Sequence, residues 1–148
     1  MSEAYLSPVD VLLILRHRDM VLLALREGTG YADGMWNLPS GKLEERERLV
    51  EALLREAREE IGIVLALHEV RTVASVQYLN EHGQTRVGFF FEAKANPHRQ
   101  GQPYNAEPDK CARINWFPFD ALPRTTVPYT LAGIELYLRG VPFGVCGW

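Results

Sequence analysis

Residues 41–63 read GKLEERERLVEALLREAREEIGI, and the fold turns on how this stretch is parsed. Val50, Leu53, Leu54, Ala57 and Ile61 recur mostly at spacings of three and four, which predicts an amphipathic helix over residues 47–61. Gly62 is its stop, because glycine enters the left-handed conformation that commonly ends a helix. Glu56, Glu59 and Glu60 fall at i, i+3 and i+4, within an arc of about 100° that adjoins the apolar one. Such a helix anchors itself in a core while holding three carboxylates at that core's edge, with Glu60 nearest the boundary. Like charges at these spacings repel by about 0.2–0.5 kcal/mol a pair on an exposed helix, so something cationic is expected to compensate. Converging hard oxygen donors suit Mg²⁺ or Mn²⁺, whose coordination is often completed by substrate phosphates. The plainer alternative is a solvated glutamate-rich face.

Outward from the helix, residues 9–16 and 20–26 are aliphatic runs separated by His17-Arg18-Asp19 and predict a β-hairpin. Glu27 to Gly34 carries three glycines and reads as a loop. Trp36-Asn37-Leu38 is a short strand ended by Pro39, after which Ser40-Gly41 turns the chain. Beyond the helix, Val70–Leu79 and Thr85–Ala95 should pair antiparallel across the turn at Asn80-Glu81-His82-Gly83-Gln84. Residues 96–110 contain Pro97, Gly101, Pro103 and Pro108 and predict a long loop, a length usually tied to function or mobility. Ala112–Phe119 reads as the last strand and Leu131–Leu138 as a helix ending at Gly140, whereas 141–148 carries no assignable pattern.

Composition narrows the function classes. With 148 residues, 47% apolar and 24% charged, the sequence is that of an ordinary globular protein, and one domain over residues 1–148 is expected. Sixteen Lys plus Arg against nineteen Asp plus Glu leave a net charge of -3, the wrong sign for gripping nucleic acid by its phosphates. A small-molecule ligand is expected instead. Apolar runs such as Val11-Leu12-Leu13-Ile14-Leu15 fall far short of the roughly 18 residues of a membrane span. The start of the sequence lacks a basic segment of the secretory kind, and Cys111 and Cys146 show no metal or disulfide spacing; the expectation is a reducing, cytoplasmic setting.

Gly41, five residues to Glu47, then seven to Arg55-Glu56-Ala57-Arg58-Glu59-Glu60-Ile61-Gly62-Ile63 resembles the Nudix box, G-x5-E-x7-R-E-U-x-E-E-x-G-U with U aliphatic. Every fixed polar and glycine position is met. Trp36-Asn37-Leu38-Pro39 resembles the family's usual approach to the box, and Ser40 departs from it, since many members have a second glycine there. The resemblance implies an α+β chain with the Nudix fold, an α/β/α sandwich around a mixed β-sheet. It implies hydrolysis of a nucleoside diphosphate linked to another moiety, by attack of water on phosphorus. It further implies that Glu56, Glu59 and Glu60 ligate Mg²⁺ or Mn²⁺ together with a backbone carbonyl of Ser40 or Gly41. Arg55 and Glu47 would orient the glutamates, and Glu59 or Glu60 would be the general base. A homodimer would be in keeping with the family and with the commonness of two-fold assemblies.

Glu107-Pro108-Asp109-Lys110-Cys111, followed by Trp116-Phe117 and Leu122-Pro123, resembles the later half of Nudix enzymes of the nucleoside triphosphate diphosphatase branch. The implied reaction is a nucleoside triphosphate, canonical in its base or modified, split to monophosphate and pyrophosphate. Nucleotide sugars and dinucleotides stand as alternative substrates, and a noncatalytic nucleotide-binding module as an alternative role. Glu107 is the candidate for a carboxylate that reaches the metal or substrate from this region, against a solvated loop acid. Arg26, ending the second strand, is the candidate phosphate contact, against an ordinary exposed strand-end arginine. Tyr31, Trp36, Tyr78 and Phe90 are candidates to stack on a base, Trp116 reads as core, and the four histidines read as surface residues.

Overall fold

The computed structural model describes residues 2–148; Met1, the first residue of the expected domain, lies outside them. The elements in chain order are β1 Val9–His17, β2 Met20–Arg26, β3 Trp36–Asn37, β4 Ser40–Lys42, α1 Leu49–Ile61, β5 Val70–Leu79, β6 Thr85–Lys94, the short α2 Pro97–Gln100, β7 Cys111–Pro118, α3 Pro128–Arg139 and β8 Phe143–Cys146. Eight strands form one mixed sheet whose main path runs β3-β2-β1-β6-β5-β8, with β4 on β1 and β7 on β2.

Alternation along the strands sorts the side chains onto the two faces. Val11, Leu13 and Leu15 of β1, with Leu22 and Phe91, pack beneath Ala52, Leu53, Ala57 and Ile61 of α1. Leu12, Ile14, Val21, Leu23, Ala74, Val76 and Phe90 meet Tyr129, Ile134 and Leu136 of α3 on the other face. Helix, sheet and helix thus form the expected α/β/α sandwich. The central β1 is buried on both faces, so its sequence is an unbroken aliphatic run rather than an alternating one.

The expected hairpin forms, but β1 and β2 pair only at Arg16↔Val21 and His17↔Met20. Beyond that the two strands splay. On that side β1 takes β4 through Leu12↔Ser40 and Asp10↔Lys42, while β2 takes β3 and the long β7. The splayed gap is where the box enters the sheet. Ser40-Gly41, expected to be a turn, is a strand, because the opened edge of β1 offers hydrogen-bond partners that outweigh the local turn preference. The expected β5–β6 hairpin is present, with a register shift between Thr72 and Ala74. Cys111–Pro118 is not the last strand: Phe143–Cys146, in the stretch without a pattern, adds to β5 in parallel. The apolar arc of α1 is also shifted, since Ala52 is fully buried while Val50 and Leu54 are only partly so.

Candidate active site

Helix α1 carries its carboxylates to the mouth of the gap between β1 and β2. Gly62 closes it at φ 68°, its N–H donating to the Arg58 carbonyl. The last two carbonyls of the helix are taken by the long loop: Tyr104 N donates to Ile61 O at 3.0 Å and Ala106 N to Glu60 O at 3.1 Å. Those two bonds stitch residues 104–106 onto the helix end and bring Glu107 to the cleft beside Glu60. Lys110 N and Cys111 N both donate to Glu107 O, and Glu27 N donates to Lys110 O, so the loop is also tied to the end of β2.

A cleft of about 490 Å³ results, lined by Arg26, Thr29, Asn37, Ser40, Gly41, Lys42, Glu56, Glu59, Glu60, Glu107, Lys110 and Cys111 among others. Ser40 with Gly41, Arg26 and Glu107, from three separate stretches of sequence, thus share one cleft with the three helix glutamates.

Arg55 is the hub of its outer wall. Its Nε donates to Glu47 Oε2 at 2.8 Å and its Nη2 to Glu47 Oε1 at 3.0 Å. Nη1 reaches Glu56 Oε1 at 2.7 Å and Glu59 Oε2 at 3.4 Å, while Nη2 also donates to the Lys42 carbonyl. Glu51, one helical turn before Arg55, pairs with Arg48 instead, at 3.3 Å. Hydrogen bonding to Arg55 holds the Glu47 carboxyl below the usual carboxylate range, and Glu47 in turn pushes the guanidinium up.

The inner wall is electrostatically different. Glu60 Oε2 accepts from Ser40 N at 3.1 Å, yet burial first and the Glu56 charge second push its carboxyl up to about 8. Glu107 adds to this and Arg26 opposes it. Burial likewise raises Glu56, with Arg55 pulling the other way. An ideal Cβ on Gly41 would lie 2.0 Å from Glu56 Oε1, so only glycine admits the carboxylate there.

Among the described residues, no group of three or more His, Cys, Asp or Glu side chains is drawn together tightly enough to hold an ion as placed. The expected convergence of Glu56, Glu59 and Glu60 is therefore looser than the helix geometry suggested, since Arg55 Nη1 draws Glu56 and Glu59 one way while Ser40 N holds Glu60 on the other side. The donor set still fits a hard divalent cation. It is all oxygen, it sits at one helix face, and burial disfavours the charge on two of its carboxylates, Glu56 and Glu60, a cost that a nearby cation offsets.

The remaining candidates separate. Arg26 Nε donates to Tyr31 O at 2.8 Å, its Nη2 to Thr29 Oγ1 at 3.0 Å, and its guanidinium lies 5.3 Å from the centre of the Tyr31 ring. Of the aromatics, Phe90 and Trp36 are core, the latter edge-on to Phe117, and Tyr78 stacks on Tyr129. Tyr31 is exposed. Trp116 packs on the α1 side of the sheet, and all four histidines are exposed. Sequence reasoning passed over Lys110 and Asn37, which line the cleft; Asn37 Oδ1 accepts from Thr130 Oγ1 across to α3. No periodicity marks either residue.

The family model described as the NUDIX domain matches residues 5–134. The chain belongs to the Nudix family. Members of this family generally use divalent metal ions. This Nudix chain is 36% identical over 118 residues to the 8-oxo-dGDP phosphatase NUDT18 of Homo sapiens, covering 78% of this chain and 33% of that protein. It is 30% identical over 77 residues to the 8-oxo-dGTP diphosphatase of Buchnera aphidicola, covering 52% of this chain and 57% of that one. It thus spans about a third of the human relative and somewhat over half of the Buchnera one. Its structure matches that of the MutT NUDIX hydrolase from Burkholderia pseudomallei with a TM-score of 0.79 at 27% identity, covering 88% of this chain and 98% of that chain. Among the described residues no helix is long and apolar enough to cross a membrane.

Proposed function

We propose that this chain is a divalent-metal-dependent hydrolase that splits a nucleoside triphosphate, canonical or oxidised in its base, into the monophosphate and pyrophosphate. The observation that carries the reading is the Arg55 hub, which fixes Glu47, Glu56 and Glu59 beside the buried Glu60 in a cleft that also holds Arg26 and Lys110. A binding module needs no such costly assembly of buried like charges. The relatives named for 8-oxo-dGDP and 8-oxo-dGTP support a nucleotide carrying an oxidised base as the substrate class. The 148 residues are read as one catalytic domain, and the free thiols of Cys111 and Cys146 suit a reducing cytoplasm.

Glu56, Glu59 and Glu60, with a backbone carbonyl of Ser40 or Gly41, would hold Mg²⁺ or Mn²⁺. When bound, the ion neutralises phosphate charge and acidifies water. Arg55 and Glu47 keep the glutamates oriented, as the supporting partners of a metal site do. Water oxygen forms a bond to phosphorus, the bridging P–O bond breaks with its electron pair leaving on oxygen, and Glu59 or Glu60 accepts the water proton. Arg26 and Glu107 line the side where the remaining phosphates lie.

The test is release of phosphate and pyrophosphate with Mg²⁺ or Mn²⁺ across canonical and oxidised nucleoside triphosphates, nucleotide sugars and dinucleotides, with Glu60→Gln alongside. Pyrophosphate release from one triphosphate, lost in the near-isosteric variant, is the expected result. Turnover by Glu60→Gln equal to the parent's overturns the site, and preference for a nucleotide sugar or dinucleotide overturns the substrate class.

A further inference from the structure

The cleft is walled by charge of both signs, and among the described residues the cations of its β2–β7 side form no ion pair with its glutamates. Arg55 occupies Glu47, Glu56 and Glu59 on the outer side, while Glu60 is bonded to Ser40 N. On the β2–β7 side stand Arg26 and Lys110. Arg26 is partly committed, its Nε and Nη2 holding the loop at Tyr31 and Thr29. The Lys110 ammonium, among the described residues, forms an ion pair with none of the cleft's four glutamates.

Its backbone, by contrast, is fixed. Lys110 N donates to Glu107 O at 2.9 Å, and Lys110 O accepts from Glu27 N at 3.1 Å, which locks the turn to the residue after Arg26. The register Arg26↔Cys111, reached through an irregularity between Leu25 and Arg26, puts Lys110 one residue before Arg26's partner, and both cations line the cleft. An uncommitted ammonium on a fixed backbone at the edge of a carboxylate cleft is a point charge suited to phosphate oxygens.

We propose that Lys110 receives the terminal phosphate of a nucleoside triphosphate and so makes this cleft select triphosphates over diphosphates. The inference rests on the reading of the cleft as a nucleotide site, and names which part of the nucleotide this wall recognises. The α- and β-phosphates lie against the carboxylate side, and the terminal phosphate meets Lys110 with the free N–H groups of Arg26. Lys42 lines the same cleft at its other end, where its carbonyl serves Arg55. It therefore separates a local contact from a general change of potential.

The experiment is calorimetric binding, with Mg²⁺ present, of α,β-methylene deoxyguanosine triphosphate and the matching α,β-methylene diphosphate, neither of which is split at that bridge. The full chain is compared with Lys110→Gln, Lys110→Arg and Lys42→Gln. The parent should prefer the triphosphate by about tenfold or more, as loss of a charge-assisted hydrogen bond implies. Lys110→Gln should bring the ratio near unity, Lys110→Arg should restore most of it, and Lys42→Gln should leave the ratio standing. Equal affinities in the parent, no binding at all, a ratio unmoved by Lys110→Gln, or equal falls in both glutamine variants each overturn the proposal. Because binding is read without turnover, a chain that binds through Lys110 yet hydrolyses nothing defeats the hydrolase reading alone.

Discussion

Arg55 grips Glu47 at two points, Nε to Oε2 at 2.8 Å and Nη2 to Oε1 at 3.0 Å, from eight residues further along the chain. The clasp joins the loop before α1 to the middle of the helix, and the same guanidinium reaches Glu56. Both partners are well shielded, at 18% and 13% side-chain exposure, so the pair is more than a surface ion pair. Arg55→Lys keeps the charge and loses the planar fork. It should lower kcat/KM by about 10- to 100-fold, the usual range for residues that orient metal ligands. Melting should shift little. Steady-state kinetics and a thermal melt check it, and parental kcat/KM in the variant would remove Arg55 from the site's support.

Gly41 makes a second, purely steric prediction. The atoms in the way of its added methyl are Oε1, Cδ and Cγ of Glu56, all of one flexible side chain, so Gly41→Ala can be accommodated by swinging that whole side chain aside. The fold should persist while the carboxylate leaves its place. Activity should drop by about 10-fold or more, with the divalent-ion concentration for half-maximal rate rising in step. A variant with parental metal dependence would mean that the position of Glu56 is not what glycine protects.

These two residues show how far the sequence could be read. The carboxylate face, Gly62 as a stop and the spacing from Gly41 to Arg55 are local patterns, and local geometry sufficed to read them. What escaped depends on partners distant in sequence. Ser40–Lys42 looked like a turn because Pro39 and Gly41 dominate its local chemistry, and only the splayed edge of β1 makes it a strand. Phe143–Cys146 has no signal of its own and is a strand because β5 offers an edge. Ala52 lies about 100° from Leu53 on the side away from Leu54, outside the arc that Val50 and Leu54 suggested, yet it faces the core. Lys110 is silent in any periodicity, and its place in the cleft follows from the loop being sewn to the end of α1 through Tyr104 and Ala106.

Leu53 tests the buried face of α1. It is 1% exposed and packs with Val11, Leu13, Ala57 and Ile61 against the sheet. Leu53→Ala should cost about 2–5 kcal/mol through the lost burial and the residual cavity, or roughly 5–15 °C in Tm for a chain of this size. Leu54→Ala, at a half-buried neighbour, should cost clearly less. Equal melting of the two variants would show that the helix is rotated from the orientation described.

The Glu69–Arg99 pair makes stability depend on pH far from the cleft. Glu69 accepts from Arg99 Nε at 2.9 Å and also from Arg99 Nη2, from Gln100 Nε2 at 3.0 Å and from Ala66 N at 2.7 Å. Hydrogen bonding from Arg99 outweighs burial and holds the carboxyl down at about 2, against 4.5 for the ordinary group. Because the folded value lies below the unfolded one, the stabilisation is fully present above pH 4.5 and is lost as pH falls from there toward 2. Arg99 is 41% exposed, so solvent screens the pair and keeps the effect modest. Glu69→Gln cannot titrate, so its stability deficit relative to the parent should be largest near neutrality and shrink at low pH. Urea unfolding of both proteins at about pH 6 and about pH 3 measures the two gaps. A deficit that is the same at both would mean that the lost contacts are those of shape and neutral hydrogen bonding, with the carboxylate charge contributing nothing.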